Sequence, residues 1–277
     1  MGLRIATNVT ALNAQRMMSQ TRSNLDRSLE RLASGSRINH AGDDAAGLAI
    51  SENLRAQIRG LRQAKRNSMD GISLIQVSEG GLNEISNMLV RLRELSIQAA
   101  SDTIGETERQ FVDREFQSMK QEIDRIANST KMNGIPLLNG RAGIFEIQVG
   151  IQNNPLLDRI IYNGERSDAS VDALKLGGES LATKQGAQLS LGVIDDALIR
   201  VNSIRSDLGA MQNRLQSTIN NLSIYDENLS SANSRIRDAD IAEEVSNMTR
   251  DNILMQAGIS VLSQANQTSS AALNLLG

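Results

Sequence analysis

The chain has 277 residues, a net charge of −3, no Cys, no Trp and a single His. Without Cys there are no disulfides, thiolate metal sites or Cys nucleophiles, and His40 alone cannot supply the paired imidazoles of a zinc site. The acidic balance argues against a nucleic-acid binder, whose footprint is a basic face. The only aromatics, Phe111, Phe116, Phe145, Tyr162 and Tyr225, imply a thin, aliphatic interior.

Pro136 and Pro155 are the only prolines, so long flanks on either side lack the strongest helix breaker. Residues 1–34 read as a first helix, with Ile5, Val9, Leu12, Leu25, Leu29 and Leu32 as its apolar positions. Ala33 to Gly42 interrupts it. A stripe from Leu54 and Ile58 through Leu61, Ile72, Ile75, Leu82, Ile85, Leu89 and Leu92 then predicts a helix over 54–99. Its length would be ~69 Å at 1.5 Å per residue. Val112, Phe116, Met119, Ile123 and Ile126 continue the same 4-3 stepping.

Phe145, Ile147 and Val149 alternate with Glu146 and Gln148, and Ile160 and Tyr162 alternate again beyond Gly150 to Pro155. That pattern predicts a β-hairpin near 144–162 with a six-residue connection. The stretch 163–188, rich in Gly, Ser, Asp and Lys, reads as an exposed connector. From Ile194 the stepping visits Leu198, Val201, Arg205, Leu208, Gln212, Leu215, Ile219, Leu222, Asp226 and Leu229, with eight of eleven stops apolar. A helix over 190–236 follows, matched in length to 54–99.

Across Arg237-Asp238-Ala239-Asp240 the register slips by one. It restarts as Ile241, Val245, Met248, Asn252, Met255, Ile259, Leu262 and Asn266, with Leu273 and Leu276 beyond. The expected fold is therefore mainly α: a long antiparallel α-helical coiled-coil bundle, or rod, with a small β-hairpin and paired N- and C-terminal helices. The expected domains are 1–34 with 241–277 as a terminal helical domain and 35–240 as the central rod. From Asn252 to Gly277 there is no Asp, Glu, Lys, Arg or His. That segment is too polar to span a bilayer and too uncharged for a solvated helix, so self-assembly through complementary terminal helices is expected.

Gly42-Asp43-Asp44 could suggest a paired-carboxylate metal site, but no partner ligands accompany it. A helix N-cap, assigned to Asp43, explains it. Gly177-Gly178 is too isolated for a phosphate cradle. No nucleophile, base and orienting group can be assembled, so no catalysis, metal or cofactor is expected. No secretory signal and no membrane span are read, which taken alone suggests a cytosolic protein.

Particular stretches resemble bacterial flagellin: Ser28-Leu29-Glu30-Arg31-Leu32-Ala33-Ser34-Gly35, Arg37-Ile38-Asn39, Asp43-Asp44-Ala45-Ala46-Gly47-Leu48-Ala49-Ile50-Ser51 and Asp70-Gly71-Ile72-Ser73-Leu74-Ile75-Gln76. So do Asn228-Leu229, Ser234-Arg235-Ile236-Arg237-Asp238-Ala239-Asp240 and Gln264-Ala265-Asn266-Gln267. The resemblance covers about 1–165 and 188–277. It implies a homopolymeric filament subunit for motility, with terminal helices in an inner tube and the central helices in an outer tube. It implies type III export to an extracellular flagellum, which overturns the cytosolic reading. An export chaperone, a filament cap and junction proteins are the implied partners.

Only 163–188 stands where the family inserts variable outer domains, so this is expected to be a short form. Ser269, Ser270 and Ala272 replace the family's usual Pro, Gln and Val. The resemblance also maps recognition by the flagellin-sensing Toll-like receptor onto Arg91, Leu95, Gln98 and Glu115, with Val90 where responsive members often have Gln. Alternatives are a hook–filament junction protein of the same family and a cytoplasmic signalling helical hairpin. The uncharged C-terminus and the β-hairpin disfavour the signalling protein.

Overall fold

The computed structural model describes residues 7–274, with side chains through 267. Five helices and four short strands follow in the order α1 (Val9–Ser34), α2 (Ala45–Ala100), α3 (Glu106–Ser129), β1 (Lys131–Met132), β2 (Ile135–Pro136), β3 (Ile144–Gln148), β4 (Arg159–Asn163), α4 (Lys184–Arg237) and α5 (Ile241–Asn274). The chain divides into two compact units. One comprises residues up to Ala56 together with those from Asn228 on, and the other is Gln57–Glu227. The boundaries expected at 34 and 241 thus lie inside the first unit.

In the second unit, α2 buries a strict 3-4 stripe: Leu61, Ala64, Ser68, Gly71, Ile75, Ser78, Leu82, Ile85, Leu89, Leu92, Ser96 and Ala99. Three serines fit a dry seam because each hydroxyl donates to the carbonyl four residues back: Ser68 to Ala64 at 2.8 Å, Ser78 to Leu74 at 3.0 Å and Ser96 to Leu92 at 2.8 Å. Helix α4 answers with Ala187, Ser190, Ile194, Ala197, Val201, Ile204, Leu208, Leu215 and Leu222. The predicted stepping shares Ile194, Val201, Leu208, Leu215 and Leu222 with this seam. Its alternate stops were one residue late. Ile204 is buried where Arg205 was expected, and Arg205 instead reaches toward Glu79.

Arg62 pairs with Asp226 at 3.0 Å and Arg93 with Asp195 at 2.7 Å. Rising numbers on α2 meet falling numbers on α4, so within this unit the two helices are antiparallel. Such solvent-exposed pairs add little to stability. The apolar seam supplies the stability, and the ion pairs favour one register.

Helix α3 packs with Phe116, Ile123 and Ala127 buried. Arg109, itself buried, donates to the carbonyls of Ala99 at 2.8 Å and Ser101 at 3.2 Å. It thereby satisfies the otherwise orphaned end of α2.

Strands β3 and β4 pair antiparallel from Ile144–Asn163 to Gln148–Arg159, where the hairpin was expected. The connection is longer than six residues. Val149 and Gly150 donate to the Asp158 carbonyl at 2.7 and 3.1 Å, and Asn154 N–H donates to the Asp158 carboxylate at 2.9 Å. Tyr162 is buried, stacks at a tilt on Phe145 and donates its hydroxyl to the Leu137 carbonyl at 3.0 Å.

The exposed connector expected over 163–188 is corrected. Ala169, Leu174, Leu176 and Leu181 are buried in the core of the second unit, and α4 already begins at Lys184. Lys120 explains how polar text folds down there. Its ammonium donates to the carbonyls of Gly177 at 3.1 Å and Glu179 at 2.9 Å. Asp113 accepts from the Leu181 N–H at 2.6 Å. Burial lowers the Lys120 pKa, partly offset by Glu179 and Asp113.

Candidate assembly surface

The terminal unit is built around α1 and α5. Asn8 opens α1 by accepting the Ala11 N–H at 3.0 Å, while its amide donates to the Ala265 carbonyl at 2.9 Å. Gly35 closes the helix in the left-handed region at φ 69°, a conformation that costs glycine little. Asp240 opens α5 by accepting the N–H groups of Ala242 at 2.9 Å and Glu243 at 3.3 Å. Glu243 and Glu244 then place negative charge in the first turn, against the helix dipole.

The two interruptions read from the sequence meet each other. Ser36 and Asp238 form an antiparallel bridge. Arg37 N–H donates to the Arg237 carbonyl at 2.6 Å, and Ala239 N–H to the Gly35 carbonyl at 3.0 Å. Beside them, Arg237 reaches Glu52 at 2.6 Å, and its hydrogen bond is the main reason that the Glu52 pKa is lowered.

Asp43 is not the cap of α2. Its carboxylate accepts the N–H groups of His40 at 3.0 Å and Asn39 at 3.2 Å, which closes the loop before the helix. Those bonds, His40 first, lower its pKa. The cap is Asp44, which accepts from Gly47 N–H at 2.8 Å. Helix α2 starts at Ala45, one residue too late for Asp43 to reach its free N–H groups. Among the described residues no group of three or more His, Asp or Glu could hold a metal ion.

Helices α1 and α5 pair antiparallel in heptad register. Ala11, Ala14, Met18, Thr21, Leu25, Ser28 and Leu32 are the less exposed positions of α1, and Glu244, Met248, Asp251, Met255, Gly258 and Leu262 those of α5. Met18 crosses directly over Gly258, where an added Cβ would lie 2.8 Å from Met18 Cγ. Ser28 donates to Glu244 Oε2 at 2.9 Å and Arg31 to Glu244 Oε1 at 2.9 Å. Glu244 is only 7% exposed.

The candidate assembly residues therefore split into two sets. Leu25, Leu32, Met248, Met255 and Leu262 lie along the α1–α5 seam and are half-buried, whereas Val9, Leu12, Leu29, Ile241, Val245 and Ile259 are exposed. Ile5 and Leu276 lie outside the described residues, as does the Leu273 side chain. The sequence reading missed Met17, Ile253, Leu254 and Val261, all exposed. The missing signal was that the apolar residues of α5 are dispersed around the helix among polar ones, without one dominant stripe. No single 4-3 stepping can collect such residues, and pairing with α1 covers only one side of them. Met17, Met18, Leu254, Gly258 and Val261 line a groove of about 400 Å³ between α1 and α5.

In the second unit, Arg91 pairs with Glu115 and with Glu94, both at 2.9 Å, and Gln98 is exposed. Leu95 is 1% exposed and belongs to the core. The structure does not present it beside the other three, because it lies on the buried side of α2 next to the seam residue Ser96. No helix among the described residues is long and apolar enough to cross a membrane.

Two family models match the chain: the bacterial flagellin N-terminal helical region over residues 5–142 and the bacterial flagellin C-terminal helical region over 191–276. A flagellin of Halalkalibacterium halodurans is 46% identical over 97% of this chain and 98% of its own length. A flagellar filament 33 kDa core protein of Treponema phagedenis is 39% identical over 97% and 98%, respectively. The crystal structure of Bacillus cereus flagellin aligns with a TM-score of 0.51 at 30% identity, covering 57% of this chain and 88% of that one.

Proposed function

This chain belongs to the bacterial flagellin family and is a structural subunit of a flagellar filament, and from that premise we propose that polymerisation is driven by the outward faces of α1 and α5. One observation carries this reading. The segment after Asp251 has no charged residue, yet Ile253, Leu254, Ile259 and Val261 each leave half or more of their surface in water. Covering a half-exposed aliphatic side chain is worth on the order of 1 kcal/mol. Each copy would present several, and a helical polymer would repeat the gain at every subunit. The groove beside Met17 and Val261 would receive apolar side chains of a neighbouring copy.

The role is structural, with no chemistry assigned to any side chain. The working place is the outside of the cell, reached by flagellar type III export with a chaperone, and growth would occur beneath a filament cap. If an innate receptor engages this subunit, the paired Arg91 and Glu115 with Gln98 would carry the contact, without Leu95. A flagellin is favoured over a junction protein or a signalling hairpin, since the likeness to a flagellin spans nearly the full length of both chains.

The test is truncation. A chain lacking 1–34 and 241–277 keeps the seam of the second unit, so it should stay helical and monomeric by circular dichroism and sedimentation. Filaments of normal length from that fragment would overturn the assignment of assembly to the terminal helices.

A further inference from the structure

Asn-Gly occurs three times in the strand-bearing region: Asn133-Gly134, Asn139-Gly140 and Asn163-Gly164. Asn-Gly is the dipeptide most prone to spontaneous deamidation, because glycine has no Cβ to hinder approach of its own amide nitrogen to the asparagine side chain. Structure decides which of the three can react.

Asn163 is held on both sides of the reaction. Its side-chain oxygen accepts from Glu165 N–H at 3.0 Å and Arg166 N–H at 3.3 Å, while the attacking nitrogen, Gly164 N–H, donates to the Gly143 carbonyl at 2.8 Å. Asn139 is held by its amide. The oxygen accepts from Arg141 N–H at 3.1 Å and the NH₂ donates to Asn128 at 3.2 Å. Gly140 is packed against Asp168, and the preceding Leu138 carbonyl accepts from Ala169 N–H at 2.9 Å.

Asn133 has neither restraint. It and Gly134 are exposed and form the whole turn between β1 and β2, at φ 50° and 80°. Among the described residues neither the Asn133 side chain nor the Gly134 N–H has a hydrogen-bond partner. The hairpin that holds the turn has only two residue pairs, Lys131–Pro136 and Met132–Ile135. Pro136 has no N–H to give to the first of them. So short a ladder can open locally and let the backbone reach the attack geometry.

We propose that Asn133 is a site of spontaneous deamidation, reacting ahead of Asn139 and Asn163 and marking the age of each subunit. The Gly134 nitrogen bonds to Asn133 Cγ, the Cγ–NH₂ bond breaks, and ammonia leaves with the proton lost from Gly134, giving a succinimide. Water then opens the ring at either carbonyl, yielding aspartate or isoaspartate. Either product adds a negative charge, and isoaspartate also adds a methylene to a two-residue turn, forcing Met132 and Ile135 out of pairing.

The experiment ages the purified full-length protein at neutral pH and follows the three Asn-Gly peptides by mass spectrometry, with isoaspartate methyltransferase labelling as a second readout. The Asn133 peptide should gain the mass of an NH₂-to-OH exchange several-fold faster than the other two. Labelling should appear with it, and Asn133→Gln should remove most of the label. Equal rates at all three sites, or faster conversion at Asn139 or Asn163, would overturn the assignment. So would an unchanged Asn133 when a free peptide of the same sequence converts alongside.

Discussion

Ser28 donates its hydroxyl to the carboxylate of Glu244 at 2.9 Å across the seam of α1 and α5. Arg31 holds the other oxygen at 2.9 Å, so a buried acid is satisfied by two donors one helical turn apart. A heptad seam of small and flexible side chains can slide by a turn, and satisfied polar contacts across it oppose that. Glu244→Ala leaves Ser28 buried without its acceptor. It should destabilise the helix pair by about 1–3 kcal/mol, while Glu244→Gln keeps one acceptor and should cost less. Thermal disassembly of filaments would rank wild type above Gln above Ala.

The crossing of Met18 over Gly258 sets how closely α1 and α5 approach. Gly258→Leu places a branched side chain where even a Cβ would lie 2.8 Å from Met18 Cγ. The second unit should keep its melting transition, while polymerisation measured by sedimentation should be lost. Normal filaments from this variant would show that the approach is not needed.

Asp43 and Asp44 separate by role. Asp44→Ala should cost ~1 kcal/mol and Asp44→Asn much less, since both native and Asn side chains cap. Asp43 behaves differently with pH. Its folded pKa lies below the ordinary value of 3.8, so its contribution is fully present above that value and is lost as pH falls through the folded pKa. The amide signals of Asn39 and His40 should therefore shift together at a midpoint below 3.8, with the shift abolished by Asp43→Asn. A midpoint at or above the ordinary value would contradict the loop-closing role.

Arg109 closes the C-terminal end of α2 on the carbonyls of Ala99 and Ser101. Arg109→Met keeps much of the stem but leaves these acceptors bare, and should cost about 2–3 kcal/mol by thermal melting. Arg109→Lys should recover part of that loss.

Much of this was legible because period is a strong signal. Ile194, Val201, Leu208, Leu215 and Leu222 repeat every seventh residue and were found. Their partners at Ala197 and Ile204 are harder to read, because Leu198 is as apolar as its neighbour and a stepping with mostly apolar stops tolerates Arg205. The pairing of Asp44 with Gly47 was missed by one residue, since two adjacent aspartates carry the same capping chemistry. The burial of Ala169, Leu174, Leu176 and Leu181 was hidden by the polar composition around them, because the segment is tied down by Lys120 and Asp113, more than 40 residues away in sequence. Asn133-Gly134 was legible and overlooked: flanked by Met132 and Ile135, it is a strong short-range signal for a two-residue hairpin.

If the outward apolar residues of α5 serve assembly and not the folding of the subunit, charging that face should abolish polymerisation alone. Ile253 and Val261 are 61% and 56% exposed, so a double Ile253→Lys, Val261→Lys variant tests it directly. Electron microscopy of the concentrated variant should show no filaments, while its monomer keeps the helicity and melting temperature of the parent. Filaments of parental length and number, formed with two charges on that face, would show that assembly does not use it.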